Sequence, residues 1–392
     1  MANTLKFGNG EWAIKESYVL GFNDENENFK PLPFNIIRNT KATTVNKDGF
    51  IEVVNRNVPR IDFSKDSQGV LLSEPTRTNY CENSLDASKW EQLISIDGST
   101  IETTSNYAIS PDGKQNATRL QASMGVSGYA MLELAQTNAF TGYYTSSVYV
   151  KSNNGNTQKV TFYGRLSEEP YIREVSNEWQ RIEILGRISS GDVGFANLGI
   201  HNADNTDTSI DILVWGGQLE QGIFKTSIIP TSEGIGTRVL DICRGGNELI
   251  FNSIEGVFFA EINSIDNSSF TAISISEDDK IFNRILFIQE TLGKIRIICN
   301  SDGALQYDFI TQTRYPLESY KKIAFSYKEN EFKLYINGEK VNEQYTVLKP
   351  PINLSRISLN GTYGGETLKG GCKQIKHYNT ALTHEELVKL TS

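Results

Sequence analysis

The sequence predicts an all-β protein: an extended N-terminal β segment, then a β-sandwich jelly roll, then a second β-sandwich with a short C-terminal helix. Three observations predict it. Short β-prone runs recur at regular spacing between residues 117 and 216, with turn signals between them. Asn337-Gly338 joins two runs of alternating apolar and polar residues, the strongest two-residue hairpin signal there is. Gly, Asn, Ser, Thr, Tyr, Phe, Ile and Val are abundant, while helix formers are scarce.

A chain of 392 residues is too long for one hydrophobic core. The breaks fall near residues 80 and 241, giving segments 1–80, 81–241 and 242–392. The net charge is −9, from 38 basic and 47 acidic residues without long runs of either sign. That balance argues against nucleic-acid binding, which needs clustered Lys and Arg. No apolar run approaches the length of a membrane span, so no membrane insertion is expected. Met1-Ala-Asn-Thr-Leu-Lys-Phe-Gly8 lacks a charged stretch followed by an apolar one, so synthesis in a cytoplasm is expected. Cys81, Cys243, Cys299 and Cys372 form no C-x-x-C pair and read as buried thiols.

In the first segment, short apolar pieces such as Leu5–Phe7, Tyr18–Phe22 and Ile51–Val54 alternate with turn chemistry at Gly8-Asn-Gly10, Asn23-Asp24 and Asp48-Gly49. Pro31 and Pro33 exclude a helix and imply an extended passage. The segment has too few apolar residues in series for a core of its own. It is therefore expected to pack on something else, a neighbouring subunit or a particle.

In the second segment, strands are expected at 117–121, 129–134, 143–151, 159–165, 179–185, 193–200 and 209–216. Turns fall at Asn153-Asn-Gly155, Ser189-Ser-Gly191 and Asn202–Asp207. Trp179 and Trp215 read as core residues.

The third segment centres on Lys322–Val341. Ile323, Phe325 and Tyr327 alternate with polar residues, and so do Phe332, Leu334 and Ile336. At the C-terminus, Thr383 and Glu386 have capping-box spacing and Leu382 can staple to Leu387. With its own hairpins and capped helix, 242–392 is expected to fold alone.

Several stretches carry a resemblance. Trp215-Gly-Gly-Gln-Leu-Glu-Gln-Gly-Ile-Phe-Lys-Thr-Ser-Ile-Ile-Pro-Thr231 and Thr237-Arg-Val-Leu-Asp241 resemble the closing strand and exit loop of a carbohydrate-binding-module-like jelly roll in bacteriophage tail and fibre proteins. Arg38–Val54, Asn57–Asp62 and Gly69-Val-Leu-Leu-Ser-Glu-Pro-Thr-Arg-Thr-Asn79 resemble the lead-in of phage tail-fibre proteins. The Lys322–Val341 meander and the Lys376–Leu390 ending resemble the concanavalin-like (laminin-G-like) lectin sandwich.

The resemblance implies a virion protein, a tail- or head-fibre or receptor-binding subunit. It would adhere to host surface polysaccharide without catalysis and contact other virion proteins through its N-terminal segment. It further implies a homotrimer. The alternatives are a glycan depolymerase of the tail and a ligand-free decoration protein.

Concanavalin-like hydrolases need two carboxylates about 5 Å apart on one strand face. Glu277-Asp-Asp279 is the nearest approach, but Ile281 stands where the second Glu is needed; Glu168-Glu169 reads as a loop pair. His201, His377 and His384 lack zinc-site spacing, and there is no Gly-x-Ser-x-Gly elbow or phosphate-cradling loop, Gly361–Gly365 included. Neither an enzyme nor a cofactor is expected; Asp204–Asp207 and Asp278-Asp279 are the loops with Ca²⁺-type oxygens. For a glycan, Tyr149, Tyr163 and Arg165 point outward from strands whose Val148, Val150, Val160 and Phe162 point inward, and they form the candidate platform.

Overall fold

A computed structural model describes residues 4–23, 28–96, 98–126, 128–165, 172–202, 207–245, 251–266, 270–278, 280–361 and 366–392. The described chain is all β apart from short 3-10 turns and one C-terminal helix. It divides into two compact units.

The first unit combines residues 1–47 and 54–75 with 240–392. Its strands pair in a long antiparallel succession. Glu339–Gln344, Glu331–Ile336, Lys321–Lys328, Glu255–Ile262 and Gly370–Tyr378 are neighbours in that order. Thr4–Gly8 then pairs with Lys376 and its neighbours, and Val70–Ser73 with the other end of the same strand. Tyr18–Asn23 and Asn28–Ile37 carry the succession to Ile242–Gly245, Arg356–Ser358, Thr271–Ser276, Arg284–Gln289, Ile295–Ser301 and Ala304–Ile310. The two ends face each other as a sandwich, because Phe258, Phe325, Leu334 and Ile375 share one core with Ile36, Ile273, Ile285 and Ile297.

The expected separate segment 1–80 is therefore divided. Its apolar residues do lack a core of their own, but Leu5, Phe7, Val19, Phe34, Ile36, Ile61 and Leu71 complete the core of the C-terminal sandwich. Pro31 and Pro33 lie in the Asn28–Ile37 strand. The expected independence of 242–392 loses its ground in the same way, since six strands of its sandwich come from the first 75 residues. The physical premise for a trimer also goes, because the N-terminal strands find their partners within the chain.

Asn337 and Gly338 have φ of 51° and 84°, as a tight hairpin turn requires. Thr383 caps the helix His384–Thr391 in a capping box with Glu386. Leu382 and Leu387 pack with Val257, Phe259, Ala324, Tyr335 and Tyr378 on the other face of the sheet.

A buried ion quartet holds the first unit's chain crossings. Arg38 Nη1 lies 2.8 Å from Asp241 Oδ1, and Arg60 Nη1 lies 2.7 Å from Glu74 Oε2. Arg60 also bonds Asp241. The Glu74 amide donates to Asp241 Oδ2 at 3.0 Å. All four side chains are almost fully buried. Burial lowers the Arg38 pKa; for Arg60 burial acts the same way, but Asp241 and Glu74 outweigh it.

The second unit takes residues 48–53 and 76–239. It is a sandwich of two five-stranded antiparallel sheets. One sheet orders Thr100–Ile109, Gln115–Ser123, Ser209–Gln221, Gly142–Ser152 and Gln180–Ile188. The other orders Glu91–Ile94, Tyr129–Thr137, Gly194–His201, Gln158–Gly164 and Ile172–Val175. Leu120, Val148, Val150, Ile212 and Val214 of the first meet Leu132, Val160, Phe162, Leu198 and Ile200 of the second. All seven expected strands are present within a few residues of their expected ends. Glu91–Ile94, Thr100–Ile109 and Ile172–Val175 were not expected. All three are edge strands, and their mostly exposed or half-buried residues carry no clear apolar alternation.

Candidate functional site

The strongest sequence motif of the jelly roll is structural. Asn79 Nδ2 donates to the carbonyls of Gly217 and Ile229 at 3.1 and 2.9 Å. Its Oδ1 accepts from the Cys81 and Leu219 amides at 2.9 and 3.1 Å. Gln218 donates to Glu220 at 2.7 Å and accepts from the Ile229 amide at 2.7 Å. Glu220 accepts from the amide and hydroxyl of Thr226 at 2.8 and 2.7 Å. Gly217 lets Trp90 pass where a Cβ would come within 2.6 Å of its ring. Thus Asn79, Gln218, Glu220 and Thr226 form a buried polar latch, closed to ligands.

The expected platform is not one surface. Tyr149 belongs to the sheet containing Gly142–Ser152 and Tyr163 to the opposite sheet. Each points away from the shared core, so Tyr149 is on one outer face and Tyr163 on the other. Tyr149 packs edge-on against Trp215, with the Arg181 guanidinium 5.4 Å from its ring centre. Tyr163 packs against Phe195 at 5.4 Å, and Arg165 pairs with Asp192 at 2.7 Å. Trp215 is buried but lies outside the core cluster, on Tyr149's side of its sheet; Trp179 is only half-buried and bonds the Ile109 carbonyl.

A groove of about 680 Å³ lies on the Tyr149-bearing sheet, along Thr100–Ile109, Gln115–Ser123 and Ser209–Gln221. Alternation builds it. Leu120, Ala122, Ile210 and Ile212 enter the core, so Gln121 and Asp211 face outward. Glu102 pairs with Gln121, and Gln121 with Asp211, in one row across three strands. Thr100, Ser123 and Ser209 form the next row, and Asn154 and Gln158 add to the lining.

The groove is preorganised. Arg119 grips Asp211 with two bonds of 2.9 and 2.6 Å, while its guanidinium lies 4.9 Å from the centre of the Tyr107 ring. Asn153 Nδ2 adds a bond to Asp211 at 3.0 Å. The Arg119 hydrogen bond holds the Asp211 carboxyl below its usual range against the opposing effect of burial, and the Asn153 bond helps. Gln158 is locked by bonds to Ser152 Oγ and to both backbone groups of Asp211. Exposed Glu102 and half-buried Gln121 offer acceptors and an amide to a ligand. Sequence reading missed this site because Thr100–Ile109 has no apolar alternation to announce a strand.

Catalytic and metal candidates fare as follows. Glu277 accepts from Asn283 at 2.8 Å, and Asp278 sits at φ 44° and pairs with Arg356. They lie beyond the end of a strand, not on its face. Asp279, Glu168-Glu169, most of Asp204–Asp207 and most of Gly361–Gly365 lie outside the described residues. Among the described residues, no three or more His, Cys, Asp or Glu gather as metal ligands. The four cysteines are buried free thiols. His377 is buried against Tyr327 and Phe251, while exposed His384 bonds the Tyr335 hydroxyl at 2.8 Å.

Residues 258–388 match the family Laminin_G_3, the concanavalin A-like lectin/glucanases superfamily. That match lies within the first unit, whose sandwich is a concanavalin A-like fold. No curated protein matches the chain. Among solved structures, the chain is similar to the Ruminococcus gnavus IT-sialidase CBM40 bound to α2,3-sialyllactose, at 15% identity and TM-score 0.32, over 36% of this chain and 84% of that one. It is also similar to domain 4 of AbnA, a GH43 extracellular arabinanase from Geobacillus stearothermophilus in complex with arabinotriose, at 16% identity and TM-score 0.34, over 44% and 84%. A heptameric SAP-like pentraxin from Limulus polyphemus gives 10% identity and TM-score 0.30, over 37% and 73%. Likenesses at these scores carry no argument about ligand or activity.

Proposed function

We propose that the protein binds glycans without catalysis, as an adhesion subunit of a bacteriophage tail or head fibre. The observation that carries glycan binding is the groove. Its Glu102–Gln121–Asp211 row presents hydrogen-bonding groups on a rigid sheet, with Asp211 fixed by Arg119 and Asn153. Carboxylates and amides held this way bond sugar hydroxyls, and a fixed floor limits the entropy lost on binding. The virion setting is supported by the sequence resemblance of 38–79 and 215–241 to tail-fibre proteins. Host surface polysaccharide is then the ligand class. Attachment to other virion proteins and a homotrimer rest on that resemblance alone.

The test is titration of purified full-length protein with polysaccharides of candidate host bacteria. Wild type is expected to bind one of them and to release no new reducing ends. Gln121→Ala and Glu102→Ala should each weaken binding roughly tenfold, the size of one hydrogen bond to a charged or polar group. Unchanged affinity in both variants would reject the groove. New reducing ends would reject the non-catalytic reading in favour of a depolymerase.

A further inference from the structure

The opposite sheet of the jelly roll carries an arrangement that the groove does not use. Its ladder sets Glu91 opposite Glu133, Glu133 opposite Asn197, and Asn197 opposite Tyr163. These residues form one row across four strands. The row faces away from the core, since Leu132, Leu134, Ala196, Leu198 and Phe162 beside it all point inward.

As it stands, the row is unfavourable. Like charges directly opposite on a sheet repel. The Glu133 carboxyl is pushed up by its burial and then by Glu91, and no basic side chain is among the charges acting on it. Asn197 is only 8% exposed, and its Oδ1 is buried without a hydrogen-bond partner. A buried carbonyl oxygen left without a donor costs free energy, as does a half-buried carboxylate beside another. Each of these oxygens lacks the same thing, a positive group close by.

A hard divalent cation supplies it. Directly opposite residues have Cβ atoms about 4.5–5.5 Å apart, and calcium takes oxygen ligands at about 2.3–2.6 Å in flexible geometry. Side chains from neighbouring strands can thus converge on one ion. Carboxylate and amide oxygens are the ligands calcium prefers, and water fills the remaining positions. We propose that Glu91, Glu133 and Asn197 Oδ1 bind a calcium ion on this outer face, with Tyr163 next in the row. The ion would neutralise the paired carboxylates and tie together the Glu91–Ile94, Tyr129–Thr137 and Gly194–His201 strands.

The experiment uses the full-length protein stripped of metal with a chelator. Added Ca²⁺ should raise its melting temperature by at least a few degrees. Tb³⁺, used as a probe, should show tyrosine-sensitised emission that Ca²⁺ displaces. Glu133→Gln removes the repulsion, so in chelator it should melt above wild type, and Ca²⁺ should then add nothing. Asn197→Asp adds a third charge, so it should melt lower in chelator and gain more from Ca²⁺ than wild type does. Absence of a Ca²⁺ response in the wild type would overturn the site, and so would a Glu133→Gln protein that keeps the full response. The groove is on the other sheet, so Gln121→Ala should leave the Ca²⁺ response intact whatever it does to glycan binding.

Discussion

The two units close their sandwiches in different ways. The jelly roll is built mainly from one continuous stretch and is latched by amides and hydroxyls around the single carboxylate Glu220, with Asn79 alone making four bonds. The lectin-like unit is assembled from three separated stretches and is pinned by buried ions, Arg38 and Arg60 against Glu74 and Asp241. Cutting a neutral member of that latch, such as Asn79, loses hydrogen bonds. An ionic pin, when cut, leaves a buried charge without its counterion. The lectin-like unit should therefore be the more brittle of the two.

The largest expected effect comes from cutting the discontinuous unit in sequence. A protein of residues 242–392 alone lacks Thr4–Gly8, Tyr18–Asn23, Asn28–Ile37 and Val70–Ser73, and exposes the core they cover. It should show no cooperative thermal transition; a sharp one would mean the N-terminal strands are ornament. Next is Asp241→Ala, which leaves the buried Arg38 guanidinium without a carboxylate and takes one of two from Arg60. Denaturant unfolding of the lectin-like unit should show a loss of roughly 3–5 kcal/mol. A loss under about 1 kcal/mol would mean that the ions are solvated, contrary to their burial.

Acid should also separate the units. Burial holds the His377 pKa at about 3, against 6.5 when unfolded. Below pH 6.5 the unfolded chain takes up a proton that the folded unit refuses, so stability falls as pH drops through that window. Between pH 6.5 and about 4 the loss from this group should be about 3 kcal/mol. His377→Gln should flatten that slope in pH-dependent melts, and an unaltered slope would assign it to other groups. A smaller effect is expected for Asn79→Ala in the jelly roll. It should cost about 1–3 kcal/mol, read from that unit's own transition, because each lost bond leaves a buried partner unsatisfied. Gly338→Val should cost the lectin-like unit roughly 1–3 kcal/mol through strain at φ 84°. No shift in melting temperature there would mean the hairpin tolerates a β-branched residue.

Much was legible without coordinates. Alternation and turn residues mark Lys321–Lys328, Glu331–Ile336 and the seven expected strands of the jelly roll, because a half-buried strand writes its period of two into the chain. Asn337-Gly338 and the Thr383–Glu386 box were legible for the same local reason: a few adjacent residues decide them. Thr100–Ile109, an edge strand with no strong period, left no such mark.

Partnership was decided only in three dimensions. Sequence alone showed that the first 80 residues could not hold a core, but not whose core they join. Pairing between Thr4–Gly8 and Gly370–Tyr378 spans nearly the whole chain, and no local pattern encodes it. Tyr149 and Tyr163 looked alike as outward tyrosines. Period two tells which face of a strand a residue occupies, but not which sheet the strand joins, and the fold put them on opposite sides. The same pairing placed Glu91 opposite Glu133, and Glu102 beside Gln121 and Asp211. Side-chain chemistry was fixed by the sequence; which groups stand together was set by strand order and register, which depend on contacts distant along the chain.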